Sequence, residues 1–176
     1  KDLSVERGFW RFELPERGVD SLRIAGENGL SISANASLAI DWGIVSTPSL
    51  KVGRGGRIGG KQGTIKVRGD LDLAVSPNEI TIELFDESKN RDFPLIQVDR
   101  VFTAGGTLRF QPNANYSPTA GDRFRLVQFE TDEKSVATIY DKFRFKDYDP
   151  IIPGRDDIFW GLTYREEFSG KKFIEL

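Results

Sequence analysis

Apolar and polar residues alternate in short runs along most of the chain. A period of two places one face of a β-strand inward and the other in water. The runs recur at short, even intervals over much of the first half, and a spacing of roughly 8 to 12 residues is typical of all-β proteins. The runs are Leu22–Ile24, Leu30–Ile32, Leu38–Ile40, Leu50–Val52, Ile65–Val67, Leu71–Leu73, Ile80–Leu84, Leu95–Val98, Leu108–Phe110, Phe124–Leu126, Phe159–Tyr164 and Phe173–Leu176.

Turn-forming residues separate these runs. Gly, Pro, Asn and Asp fill the gaps, for example at Glu27-Asn28-Gly29 and Ser76-Pro77-Asn78. No long segment carries an apolar stripe with the period of a helix. The best helix candidate is the segment 131–140, but its β-branched residues fit a strand or a loop equally well. The sequence therefore predicts an all-β fold.

The chain has two regions that differ in the length of their apolar runs and in their aromatic content. Residues 1–92 carry very short runs separated by small residues, which suit a β-solenoid because small residues turn its corners. Residues 93–176 are richer in aromatic residues and would form a β cap continuous with that region. The alternative is a two-sheet β-sandwich, in which many neighbouring strands pair as antiparallel hairpins. A solenoid instead needs parallel neighbours about 20 to 25 residues apart.

The composition is that of a folded domain with a strongly charged surface. The 176 residues include 13 Phe, 4 Tyr and 3 Trp, more aromatic residues than a disordered chain carries. The 25 basic and 27 acidic residues are mixed along the chain and give a net charge of −2. We therefore expect no binding of nucleic acid and no attraction to an anionic membrane. No apolar run approaches the length of a bilayer span, so we also expect no membrane-spanning segment.

The chain contains no Cys, His or Met. It therefore lacks the usual general base, the commonest metal ligand, thiolate catalysis and disulfides. We expect a protein that is not an enzyme and has no cofactor, and we assign no catalytic, cofactor-binding or metal-binding residue. The absence of Cys also suits export through an oxidising compartment. The start at Lys1 predicts either a removed signal peptide or a piece of a longer chain.

One ordered series of motifs goes beyond the general strand pattern. Its members are Gly63–Leu73 (GTIKVRGDLDL), Ile80–Leu84 (ITIEL), Ile96–Asp99 (IQVD), Gly106–Phe110 (GTLRF) and Tyr116–Val127 (YSPTAGDRFRLV). This order resembles the C-terminal passenger repeat of bacterial autotransporters and of related autotransporter-like surface proteins with a C-terminal sorting tail. The most specific part is the spacing of Pro118, Gly121, Asp122 and Phe124. Trp160–Tyr164 and Phe173–Leu176 are similar to the end of that repeat.

The resemblance covers residues 49–176. It implies a right-handed β-helix segment, export to the surface of a bacterium, and a stalk without an active site. The chain departs from the repeat at two places. Val75-Ser76-Pro77-Asn78 replaces the usual turn, and Asp92-Phe93-Pro94-Leu95 occupies the position of an Asp-containing strand motif.

Glycine and basic residues cluster between residues 51 and 68. The segment Gly53–Gly60 resembles a phosphate-binding loop in composition, but such a loop needs a helix after it, and here a strand is predicted. A turn is the better interpretation. Arg54, Arg57 and Lys61 form a candidate patch for an anionic ligand such as an acidic polysaccharide. The simpler interpretation is a solvated face of alternating strands.

Acidic and tryptophan side chains offer further candidates. Adjacent carboxylates would point to opposite faces of a strand and cannot by themselves form a glycosidase pair. These pairs are Asp86-Glu87, Asp156-Asp157 and Glu166-Glu167. Four aspartates could offer oxygen ligands to calcium, but their spacing matches no calcium loop. They are Asp70, Asp72, Asp147 and Asp149. Trp10, Trp42 and Trp160 are more typical of core or subunit contacts than of sugar stacking.

Apolar strands are predicted at both ends of the chain. Terminal strands usually pair within their own chain, but they can also add to the sheet of a neighbouring copy. The candidate self-assembly residues are Phe9, Trp10, Phe12, Phe173, Ile174 and Leu176. We therefore predict an extracellular or cell-surface bacterial module that is structural or adhesive and contacts copies of itself or neighbouring surface proteins. The alternative is a carbohydrate-binding or carbohydrate-active β-helix domain with a polysaccharide partner.

Overall fold

The chain is all-β in a computed structural model. The described residues are 1–6, 8–13, 22–73, 79–90, 93–103, 107–130, 147–148, 151–152, 155–159, 161–166 and 171–176. Within them lie twenty strands and a single 3-10 turn at Asp86–Ser88, and there is no α-helix. The helix candidate at 131–140 lies outside the described residues. In the described part of the chain, no helix has the length and apolarity needed to cross a membrane.

Most strands belong to three sheets. The three-stranded sheet contains β1 (Leu3–Val5), β4 (Leu30–Ile32) and β7 (Leu50–Val52). The six-stranded sheet contains β2 (Phe9–Glu13), β5 (Ser37–Trp42), β8 (Gly56–Gly59), β11 (Glu79–Leu84), β14 (Thr107–Pro112) and β16 (Asp147–Tyr148). The seven-stranded sheet contains β3 (Leu22–Arg23), β6 (Ile44–Thr47), β9 (Thr64–Val67), β12 (Ile96–Val98), β15 (Arg125–Glu130), β20 (Lys171–Glu175) and β19 (Thr163–Glu166). Two smaller pairs are β10 (Leu71–Asp72) with β13 (Phe102–Thr103), and β17 (Ile151–Ile152) with β18 (Arg155–Phe159).

The chain visits the sheets in rotation. We call three consecutive strands a layer, so that β1–β3 form the first layer and β13–β15 the fifth. Wherever corresponding strands of these layers pair, they pair in parallel. Some partners, such as Leu30 and Leu50, have the sequence separation expected of a solenoid, whereas others, such as Ile65 and Ile96, lie further apart. The wider separation includes the connection from β11 to β12, which contains the 3-10 turn.

Apolar residues stack in register between the layers. Leu38, Ile58, Ile82 and Phe110 occupy paired positions on four neighbouring strands, and all four are buried. Alternation explains the arrangement, because every second side chain of a strand faces the same side. Burying each such side chain stabilises the fold by about 1.5–3 kcal/mol. The core is therefore built from columns of aliphatic and aromatic side chains.

Pairing becomes antiparallel near the C-terminal end. β20 pairs antiparallel with β15 on one side and with β19 on the other, and β17 pairs antiparallel with β18. The sequence predicts a boundary between two regions at residues 92 and 93, and parallel pairing is found both before and after it. The division of the chain into two regions at this boundary stays a prediction.

Part of the aromatic-rich region forms core. Phe102 and Phe129 are buried with ring centroids 5.1 Å apart, and Phe110 and Phe124 are also buried. Phe159, although it lies in one of the predicted alternating runs, is 64% exposed. It ends β18, which pairs only with β17 in the described structure.

Candidate functional site

The first layer forms an open edge of the strand stack. β1, β2 and β3 are each the last strand of their sheet, and no described strand pairs with their outer edges. Unpaired backbone N–H and C=O groups at such an edge are a ready template for another strand. We call this part of the molecule the amino-terminal edge.

Apolar side chains are exposed at the amino-terminal edge. Trp10 is 43% exposed and Leu22 is 36% exposed, whereas their register partners in the second layer, Leu38 and Val45, are completely buried. The first layer thus covers the second, while the described chain covers the first only in part. Leu22 was not among the predicted assembly residues. Its place on an outermost strand depends on which strands pair, and the alternation of apolar and polar residues does not show this.

The other predicted assembly residues of this end share the strand of Trp10. Phe9 and Phe12 both belong to β2, at the edge of the six-stranded sheet. Phe12 is partly buried and packs against the core. The structure therefore places the three predicted amino-terminal residues on one edge strand.

The predicted residues at the other end of the chain lie inside a sheet. Ile174 is completely buried and Leu176 is 6% exposed. β20, which also contains Phe173, has a paired strand on each side. Leu176 continues this pairing, since its backbone N–H and C=O both bond to Phe124. Within this structure an added strand would have to displace β19 or β15.

The predicted anionic-ligand patch is spread along β8. Arg54 lies in the turn before the strand, Arg57 lies within it, and Lys61 follows it. Two of the three cations face carboxylates from the next layer. Lys61 Nζ is 3.0 Å from Glu87 Oε1, and Arg57 Nη1 is 3.9 Å from Glu83 Oε1. These carboxylates reduce the positive charge that the two cations offer to an anion.

Burial affects the titration of one of these carboxyls. Burial raises the pKa of Glu83 above its usual range, and the nearby charges of Arg57 and Arg11 oppose this shift only in part. A second ion pair on the same sheet joins Arg11 Nε to Asp41 Oδ2 at 3.2 Å. The exposed Arg11 and Arg57 on this sheet therefore each pair with a carboxylate of the next layer, and one of these carboxylates, Asp41, is buried.

The structure does not show a ligand site at the other candidate residues within the part of the chain that it describes. Asp70 Oδ1 accepts a hydrogen bond from the Val101 backbone N–H and lies 3.5 Å from Arg100 Nε. The described residues contain no group of three acidic, His or Cys side chains able to hold a metal ion. The glycine-rich segment is followed by strand β9. Trp42 is half-buried at the end of β5, and Trp160 lies outside the described residues.

The motif Tyr116–Phe124 forms a closed turn between β14 and β15. The Tyr116 hydroxyl donates to Asp122 Oδ2 at 2.7 Å, and the Thr119 backbone N–H donates to the same oxygen at 2.9 Å. Burial on its own would raise the pKa of Asp122, but these hydrogen bonds and the charge of Lys89 outweigh it and lower the pKa. Burial and the bond to Asp122 together raise the pKa of Tyr116. The turn therefore holds an ionised Asp122 beside a neutral Tyr116 at pH 7.

Comparison with protein-family models, with curated protein sequences and with solved structures found no match to the chain.

Proposed function

We propose that the chain is a β-solenoid segment with a structural or adhesive role at a bacterial cell surface, and that its amino-terminal edge binds another copy. The observation that carries the proposal is the set of in-register parallel layers, which ends in a first layer whose outer strand edges pair with no described strand. Layers that stack in this way make a stiff rod, in which each layer contacts only its neighbours.

The strand path supports a solenoid over a β-sandwich. The chain visits the sheets in rotation, and wherever corresponding strands of successive layers pair, they pair in parallel. β10 and β13 of the fourth and fifth layers form a sheet of their own. A sandwich would pair many sequence neighbours as antiparallel hairpins. In the described structure such hairpins involve only strands of the last part of the chain. The export and surface location come from the resemblance to the autotransporter passenger repeat.

The amino-terminal edge supports assembly. It combines three strand edges with the exposed side chains of Trp10 and Leu22. A second copy would bury this apolar surface and complete the backbone hydrogen bonds, the mode of association known as strand addition. The exposed tryptophan is the best anchor, because buried aromatic residues dominate the energetics of interfaces.

The test is concentration-dependent association of the purified chain. Sedimentation and electron microscopy should show dimers or filaments that grow with protein concentration. Trp10→Lys places a charge at the amino-terminal edge and should weaken association by about tenfold or more. Phe93→Lys is the matched control, because Phe93 is a 62% exposed aromatic residue outside the first layer.

Two results would overturn the proposal. The first is a chain that remains monomeric at every concentration reached. The second is an equal loss of association in the Trp10→Lys and Phe93→Lys variants. Circular dichroism of each variant verifies that the fold is retained.

A further inference from the structure

A cleft of about 410 Å³ lies between the Thr119–Arg123 turn and the C-terminal strands. Its walls come from the turn before β15, the end of β18, the start of β19 and the end of β20. Ligand sites in proteins are typically clefts of about 300–1,000 Å³, with apolar and aromatic walls and a few polar groups. This cleft has that size, and five of its ten lining residues are polar or charged, including Asp122, Arg123 and Glu175. It is separate from the amino-terminal edge.

Phe159 gives the cleft an aromatic wall. The side chain is 64% exposed although it is large and apolar. An aromatic ring has an electron-rich face that attracts the weakly positive C–H groups of a ligand. The apolar face of a sugar ring presents such C–H groups, so a saccharide is a suitable partner for this surface.

Two carboxylates supply fixed acceptors on the polar side of the cleft. Asp122 is held by Tyr116 and Thr119, and Glu175 accepts a 3.1 Å hydrogen bond from Arg125 Nε. A carboxylate can accept about four hydrogen bonds, so groups oriented in this way keep capacity for ligand hydroxyls. Because their partners already position them, binding requires little further ordering of these side chains.

Two glycines keep the cleft open. Gly121 has a φ of +94°, a backbone conformation that itself favours glycine. Gly161 has no positive φ, and a Cβ placed there would meet no heavy atom within 4 Å. The backbone thus leaves room for a larger residue at position 161, and a side chain there would occupy open space beside the cleft.

We propose that this cleft binds an uncharged, hydroxyl-rich saccharide unit, with the sugar ring against Phe159 and its hydroxyls donating to Asp122 and Glu175. The cleft lining contains one basic side chain, Arg123, against these two acidic ones, so an anionic saccharide is disfavoured. The proposal does not depend on the structural role or on assembly at the amino-terminal edge.

The test uses an array of neutral, N-acetylated and uronic acid oligosaccharides, followed by calorimetric titration of the full chain with the best neutral glycan. We expect neutral glycans to be retained in preference to uronic acid glycans. Phe159→Ala should weaken binding about tenfold or more, through loss of the aromatic wall. Gly161→Leu should do the same by placing a side chain in the cleft, since a Cβ at this position meets no heavy atom within 4 Å.

Phe93→Ala is the matched control and should bind like the parent chain, because Phe93 is exposed but does not line the cleft. Absence of neutral-glycan binding at millimolar concentration would overturn the proposal. So would preferential retention of uronic acid glycans, or unchanged binding by the Phe159→Ala and Gly161→Leu variants. Sedimentation of the same samples keeps this result separate from the assembly test.

Discussion

The Tyr116 hydroxyl donates a 2.7 Å hydrogen bond to Asp122 Oδ2, across the turn that joins β14 to β15. The Tyr116 ring also packs edge-on against Phe124, with ring centroids 5.6 Å apart. Gly121, whose φ is +94°, turns the backbone so that Asp122 faces back toward Tyr116. The spacing of Tyr116, Gly121, Asp122 and Phe124 therefore allows one hydrogen bond and one ring contact to hold the connection between β14 and β15 together.

Removing the Tyr116 hydroxyl should destabilise the fold. Tyr116→Phe keeps the ring contact with Phe124 and deletes one donor to a carboxylate, so we expect a loss of about 1.5–3 kcal/mol in the free energy of unfolding. Urea denaturation measures this loss. A double-mutant cycle with Asp122→Ala should show that the two changes are not additive. Full additivity would mean that the bond contributes no stability.

Asp122 should make the fold sensitive to acid. Its pKa is lowered in the folded state, so its contribution to stability is complete above the pKa of the unfolded chain, near pH 4. That contribution is lost as the pH falls through the lower folded-state value. Urea midpoints of the parent chain and of Asp122→Asn, measured from pH 6 to pH 2, should therefore converge at low pH. A constant difference between the two curves would contradict this role.

Gly60 should tolerate no side chain. Its φ is +133°, and a Cβ would collide with the backbone carbonyl of Ile40 in the layer before. We expect Gly60→Ala to cost more than about 2 kcal/mol, since it combines a strained backbone with a clash. Gly161→Ala is the matched control and should change stability by less than about 1 kcal/mol, because open space surrounds that position. Equal urea midpoints for the two variants would show that the layers do not approach each other at Gly60.

Paired cysteines should report the register of the layers. Ser31 and Lys51 are partners on the parallel strands β4 and β7. Neighbouring strands lie about 4.8 Å apart, a spacing that a disulfide can span. The chain has no native cysteine, so Ser31→Cys with Lys51→Cys should form one bond on oxidation, seen as a gel shift reversed by reductant.

The control for the register separates the cysteines by an intervening strand. Ser4 is the β1 partner of Ser31, so Ser4 and Lys51 lie about 9.6 Å apart, beyond the reach of a disulfide. Ser4→Cys with Lys51→Cys should stay reduced within the monomer. Efficient bonding in this variant, or none in the adjacent pair, would contradict the parallel register.

The strands are accessible to sequence reasoning where alternation is regular. Leu30–Ile32 and Leu50–Val52 are strands with the predicted bounds, because apolar residues flanking a polar one have only one good orientation against a core. The turns on either side of β5 contain Asn35 and Gly43, which both have a positive φ. Phe159 departs from expectation, since an apolar residue in an alternating run says nothing about whether a second sheet will cover it.

The alternation of apolar and polar residues does not predict which strands pair. Lys61 and Glu87 belong to different layers, and only the stacking of those layers brings the two charges within 3.0 Å. The same is true of Trp10, whose exposure depends on β2 being the last strand of its sheet. Periodicity describes one strand at a time, whereas these contacts depend on which strands become neighbours.

The strand direction reverses twice at one end of the seven-stranded sheet. β20 runs opposite to β15, and β19 runs opposite to β20. The outermost strand β19 therefore points the same way as β3 at the far edge. Copies related by simple translation could join β19 of one molecule to β3 of the next with every strand sense preserved. Such a head-to-tail junction is heterologous and does not close on itself, so it would generate a polar fibre with two chemically different tips.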